Sequence, residues 1–173
     1  MRKYRVQRHA IIQPLDKPFR YIPLTQGLNA IVDTKDFDWL NQWNWSAFFL
    51  DGNYRVVRRK NGKLVYMYRE ILGCQKKTEE GDHWNHDTLD NRRENLRRAT
   101  RVENCHNRRK QRNNTSGYIG VYWHQGASKW LAQIVENGKW IYIGIFADLV
   151  EAAHAYDQAA KKYHGEFAYL NFP

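Results

Sequence analysis

DHWNHDTLDNRRENLRRATRVENCHN, residues 82–107, is the run around which the rest of the chain is arranged. Thr100 followed by Glu103 is the S/T-x-x-E capping box, so a helix is expected to begin near Arg101. Asn104 then falls near the start of that helix. The four residues Leu96 to Ala99 have the length of a short strand. Residues 85–95, rich in Asn and Asp, read as a loop. Asp82 and His83 close another short extended segment. Strand, loop, strand and helix form a unit in which the first strand and the helix can face one another across a small cleft.

The residue types suggest a chemistry for such a cleft. The carboxylate of Asp82 and the amide oxygen of Asn104 are hard oxygen ligands, which suit Mg²⁺ or Mn²⁺ rather than zinc. His83 is a neutral imidazole near pH 7 and can take a proton from water. The carbonyl of Asn95 can hold the other ring nitrogen and fix its tautomer. A metal, a base and an orienting group suffice for phosphodiester hydrolysis. With this spacing, residues 82–107 resemble the HNH (His-Me finger) nucleases, above all the phage and intron homing-endonuclease branch, which reads DH…LDN…ENL…T…EN. In that branch the third histidine is often an asparagine, as Asn104 is here. The resemblance implies His83 and Asn95 as catalytic residues, Asp82 and Asn104 as metal ligands, and a cut leaving 5′-phosphate and 3′-hydroxyl ends. It extends upstream over residues 67–73, where Tyr68 stands in place of a usual histidine. Trp84, in place of an aliphatic residue, is expected in the core, and His86 in the loop.

Charge gives an independent indication. The 173 residues carry a formal net charge of +10 and a pI of about 9.7. Nine cations lie between residues 92 and 112: Arg92, Arg93, Arg97, Arg98, Arg101, Arg108, Arg109, Lys110 and Arg112. Only Glu94 and Glu103 offset them, which leaves +7. A charge so concentrated points to a polyanion, because a merely solvated helix face seldom carries one sign. No broad apolar face accompanies these arginines, which argues against a membrane-surface helix. No apolar run has membrane-spanning length and no signal peptide opens the chain. Cys74 and Cys105 lack Cys-x-x-Cys partners, so a zinc knuckle is not expected and a reducing cytosol is.

Upstream, the first 20 or so residues read as weakly structured. Residues 21–33 read as strand, turn at Gly27, and strand, and 36–44 as a short helix with Phe37, Leu40 and Trp43 on one face. Residues 45–49 read as a strand. Asp51-Gly52 and Asn61-Gly62 are hairpin signals, and 54–69 reads as one hairpin with a basic face. Arg55, Arg58 and Arg59 on that face are candidate DNA contacts. Residues 107–116 form a polar, basic connection.

From Gly117 the pattern changes to three strands and a helix, with Asn137-Gly138 as a hairpin turn and Asp148 with Glu151 as a helix start. Leu149, Ala152, Ala153, Tyr156, Ala159, Ala160 and Tyr163 make an apolar stripe at helical spacing. Several signatures then coincide: Tyr118-x-Gly120-Val121, Lys129-Trp130-x-Ala132-x-Ile134, Gly144-x-Phe146, Glu151-Ala152-Ala153-x-Ala155-Tyr156-Asp157 and the closing Leu170-Asn171-Phe172-Pro173. With them, residues 117–173 resemble the Apetala-two/ethylene-response-factor DNA-binding domain. The resemblance implies a sheet that enters the major groove. Its exposed-face positions fall at Ile119, Tyr122, His124, Lys129, Gln133, Val135, Trp140 and Tyr142. Of these Tyr122, His124, Lys129, Gln133, Trp140 and Tyr142 are candidate DNA contacts.

The expected fold is α+β: a β-rich DNA-contacting region (1–73), a ββα-metal nuclease core (74–110), a basic linker (111–116), and a three-stranded antiparallel sheet packed on one helix (117–173). The expected function is a site-specific, Mg²⁺- or Mn²⁺-dependent homing endonuclease acting on double-stranded DNA. It is expected to nick as a monomer in the cytoplasm of a phage-infected or bacterial cell. The alternative reading is a non-catalytic, sequence-specific DNA-binding regulator. An RNA-processing nuclease would share the attraction to phosphate.

Overall fold

The computed structural model describes residues 10–76, 78–110 and 113–173. Arg112 and residues 1–9 of the expected weakly structured N-terminus lie outside those residues. The chain divides into two compact units, Met1–Thr100 and Arg101–Pro173.

In the first unit, β1 (Phe19–Pro23) and β2 (Asn29–Asp33) form an antiparallel pair, and α1 (Thr34–Asn41) follows. The expected turn at Gly27 is present, in the left-handed region at φ 71°. β3 (Ser46–Leu50), β4 (Asn53–Lys60) and β5 (Lys63–Tyr66) make a three-stranded antiparallel sheet with β4 in the middle. Asn61 and Gly62 between β4 and β5 have φ of 49° and 75°, both positive as a type I′ turn requires. The expected hairpin over 54–69 is cut short: β5 ends at Tyr66, and Met67–Leu72 is a helix, α2. Met67 and Ile71, one turn apart, are both buried, and Gly73 at φ 66° closes the helix in the left-handed region. β6 (Glu80–His83) and β7 (Leu96–Ala99) pair antiparallel, as the motif's spacing suggests. Ile22, Val32, Leu40, Trp45, Val56, Met67 and Ile71 form the core.

Between β6 and β7 the loop is held from α1. Buried Asp36 accepts from Nε of Arg93 at 2.7 Å and from its other guanidinium nitrogen at 2.9 Å, and Asp33 accepts from the Arg93 backbone N–H at 2.8 Å. Burial alone would raise the Asp36 pKa, but the hydrogen bonds from Arg93 and Trp39 outweigh it and hold the pKa below the usual carboxylate value. A depressed carboxyl pKa contributes stability that is present above the unfolded-state pKa near 4 and is lost as pH falls through the folded value. Asp36→Asn is therefore expected to cost about 2 kcal/mol at pH 7, limited by the half-exposed Arg93. The gap to the parent should close below about pH 4. Urea unfolding across pH checks this, and a gap that stays constant down to pH 2 would count against the linkage.

The second unit begins with α3 (Arg101–His106), at the position the capping box predicts. β8 (Val121–His124), β9 (Lys129–Glu136) and β10 (Lys139–Phe146) form an antiparallel sheet in the order β10-β9-β8. α4 (Leu149–His164) packs on it, and the Asp148 side chain accepts from the Glu151 N–H at 2.8 Å. Ala152, Ala153, Tyr156 and Ala160 bury against Val121, Ala132 and Ile134. The alanines let helix and sheet approach closely. Buried Asp157 accepts from the backbone N–H groups of Asn171 and Phe172 at 2.8 and 2.9 Å, so the closing Asn-Phe-Pro run is tied to α4. The three-stranded sheet on one helix is thus as expected.

Candidate nucleic-acid interface

His83 sits at the end of β6 and is buried. Its ring meets that of Tyr68 edge-on at 5.7 Å. Burial pushes its pKa down to about 4. Arg55 adds to that shift, and a side-chain hydrogen bond with Asn91 and the charge of Asp82 oppose it. The imidazole is therefore neutral at pH 7. Its orienting amide is Asn91, which the sequence reading did not assign. Asn95 has other tasks: its Oδ1 accepts from the Asn85 N–H at 2.9 Å, and its Nδ2 donates to the Asp90 carbonyl at 2.8 Å. It thereby braces the 85–90 loop. The Asp82 carboxylate accepts from Nε of Arg97 at 2.7 Å and lies 2.6 Å from a second nitrogen of that guanidinium. Asn104 is carried by α3 in the second unit. Trp84 is not in the core. It is 55% exposed, just beyond the end of β6, with the Arg97 guanidinium 4.9 Å from its ring centroid.

The arginine cluster also differs from the expectation of uniform phosphate contact. Arg92 pairs with Asp90 and Glu94, Arg93 with Asp36, and Arg97 with Asp82. Arg98 donates to the carbonyl of Leu72 at the end of α2. Arg58 is buried, pairs with Glu70 at 2.6 Å and lies over the rings of Trp43 and Trp45. Four of these five side chains are ion-paired within the first unit, which neutralises their charge there, and Arg98 is held by a backbone carbonyl. Arg59 donates to the Gly62 carbonyl at its own turn, and Arg55 acts electrostatically on His83.

In the second unit the cations are arranged differently. A groove of about 650 Å³ is lined by Arg101, Arg108, Arg109 and Lys110 together with Tyr122 and Trp140. Two stretches that the sequence reading kept apart, the basic tract and the sheet, thus border one groove. Tyr122, His124, Lys129, Trp140 and Tyr142 are all exposed, as alternation predicts for the face opposite α4, and Gln133 is partly so. His124 also accepts, through Nδ1, the Ala127 N–H at 3.0 Å and so shapes the β8–β9 turn. Among the described residues, no helix is long and apolar enough to cross a membrane.

A three-stranded sheet backed by one alanine-rich helix, with an aromatic and polar outer face, defines the class of module. Residues 116–166 match the AP2 domain family. The ethylene-responsive transcription factor WRI1 of Arabidopsis thaliana is 31% identical over 143 residues, covering 69% of this chain and 32% of that protein. The AP2-like ethylene-responsive transcription factors TOE2 and ANT of the same plant are each 40% identical. They cover 38% and 46% of this chain, and 13% and 15% of those proteins. The chain therefore spans a third or less of the length of these relatives, and the family match lies within its C-terminal unit. These matches correct the endonuclease expectation. The relatives are plant transcription factors, not nucleases, so the HNH, homing, intron and phage attributes are withdrawn with it.

Proposed function

We propose that this chain is a non-catalytic, sequence-specific regulator that binds double-stranded DNA through its second unit. One observation supports this reading above others: the basic tract and the exposed aromatic face of the AP2 sheet border the same groove. The sheet presents Tyr122, Gln133, Trp140 and Tyr142 to base edges and sugars, while Arg101, Arg108, Arg109 and Lys110 neutralise phosphates. The transcription-factor relatives supply the class of activity. Selection from a random duplex pool tests it. One recurrent motif should be enriched, bound at least about 10³-fold more tightly than bulk DNA. A pool without enrichment, or a discrete cut in the bound duplex with Mg²⁺ present, would overturn the proposal.

Salt dependence follows from the same groove. With four cations on phosphates, log Kd should vary with log salt with a slope of about 3–4. Replacing Arg101 and Arg108 by Ala should lower that slope by roughly 2 while leaving the preferred motif unchanged. Fluorescence anisotropy at several salt concentrations measures it. A double variant with the parent slope would remove these two side chains from the interface.

A further inference from the structure

Three side chains from three separate elements of the second unit meet at one point. His106 closes α3, Glu136 closes β9 and His164 closes α4. One ligand-capable atom from each lies within 4.8 Å of the other two. The Glu136 Oε2 stands 3.9 Å from Nε2 of His106 and 3.7 Å from Nε2 of His164. Both separations are too long for hydrogen bonds, and that oxygen is buried without a hydrogen-bond partner. A buried carboxylate oxygen in this state costs free energy that a bound cation would offset.

The imidazoles have the character of ligands. The His164 side chain is only 6% exposed, and its Nε2 lies 2.9 Å from the Val135 carbonyl. With Nε2–H donated there, the lone pair falls on Nδ1, which is buried and has no hydrogen-bond partner. A backbone carbonyl holding one ring nitrogen while the other coordinates is the common arrangement of metal-ligand histidines. The two rings stack at 3.6 Å and 6°. Burial and the neighbouring His164 push the His106 pKa down, against Glu136 and Glu103.

We propose that His106, Glu136 and His164 form a zinc site of two imidazoles and one carboxylate, with the fourth position open to water. Zinc takes nitrogen and oxygen ligands at about 2.0–2.2 Å in tetrahedral geometry, which places ligand atoms about 3.4 Å apart. The 3.7 Å separation runs to His164 Nε2, so coordination through Nδ1 needs the His164 ring to turn and the two rings to tilt out of their stack. The bound ion would lock the end of α3 to the ends of β9 and α4. That would fix the basic tract beside the sheet, a consequence that rests on the DNA-binding reading although zinc binding itself does not.

The test uses the full chain, stripped with chelator and titrated with zinc chloride alone by calorimetry. Cobalt serves as a spectroscopic substitute for the coordination geometry. One ion per chain should bind, raise the melting temperature, and give the absorption of a four-coordinate cobalt centre. His106→Ala and Glu136→Gln should each weaken zinc binding at least about 100-fold, a ligand being worth no less than a supporting contact. Glu136→Gln keeps the side-chain shape, so it remains informative if a histidine variant fails to fold. Absence of zinc binding by the parent chain would overturn the proposal. So would undiminished binding by a folded Glu136→Gln protein, which would place the ion elsewhere, for example on Cys74 or Cys105.

Discussion

Trp140→Ala combined with Tyr142→Ala should weaken binding to the selected duplex by about 10²- to 10³-fold, with little change in folded stability. Both residues lie on β10 and each is 63% exposed. Their partners across the strand pair are Val135 and Gln133, which lie on the same outer face of β9. Neither ring belongs to the core formed by Val121, Ala132, Ile134 and α4. Removing them therefore takes little apolar surface out of the protein interior and leaves no cavity. At a nucleic-acid surface the balance reverses, because each aromatic contact is worth about 1–3 kcal/mol on complex formation. Anisotropy on the selected duplex and on a scrambled one separates the effects. The loss should fall on the selected duplex and far less on the scrambled one, where phosphate contacts dominate. A folded double variant with parental affinity for the selected duplex would show that the sheet face does not read DNA.

The local signals in the chain translated directly into structure. Asn61-Gly62 and Asn137-Gly138 both became turns with positive φ, because few other residue pairs tolerate that conformation. Asp148 capped α4, and the alanine stripe was buried where its period places it. Pairings between distant residues were not legible. Asp36 and Arg93 are 57 positions apart, and no local pattern announces that one arginine of the cluster is committed to α1 rather than to phosphate. The same holds for Arg58 with Glu70 and Arg97 with Asp82. Counting charge along the chain therefore overestimated the cationic surface of the first unit. The hydrogen bond between Asn91 and His83 was not legible for a related reason. Asn91 and Asn95 share one loop, and which of them reaches the ring depends on the loop's own hydrogen bonds. Helix α2 was missed because six residues hold too little periodicity to outweigh a preceding strand signal.

Gly120→Ala should destabilise the second unit by about 3–4 kcal/mol, which corresponds to a fall of roughly 15–25 °C in its melting temperature. Two costs combine. Gly120 has φ of +71°, where an L-residue is strained by about 1 kcal/mol. A Cβ there would also lie 2.0 Å from the Tyr156 ring and 2.8 Å from the Gln133 carbonyl oxygen. Tyr156 is buried between α4 and the sheet, so its ring cannot swing into solvent without opening the core. The Gln133 carbonyl belongs to β9, whose N–H at the same residue donates to the Gly120 carbonyl at 2.9 Å, so the backbone cannot retreat either. Gly117→Ala supplies the control. Its φ of +82° is equally unfavourable, but a Cβ there meets nothing within 4 Å, so only the conformational cost of about 1 kcal/mol remains. Tyr156→Leu in the Gly120→Ala background should recover part of the loss, since the smaller side chain vacates the space that Cβ requires. A double-mutant cycle read by thermal unfolding gives the coupling, expected at about 1–2 kcal/mol in favour of the pair. Equal melting temperatures for Gly120→Ala and Gly117→Ala would show that the contact with Tyr156 is not what requires glycine at position 120.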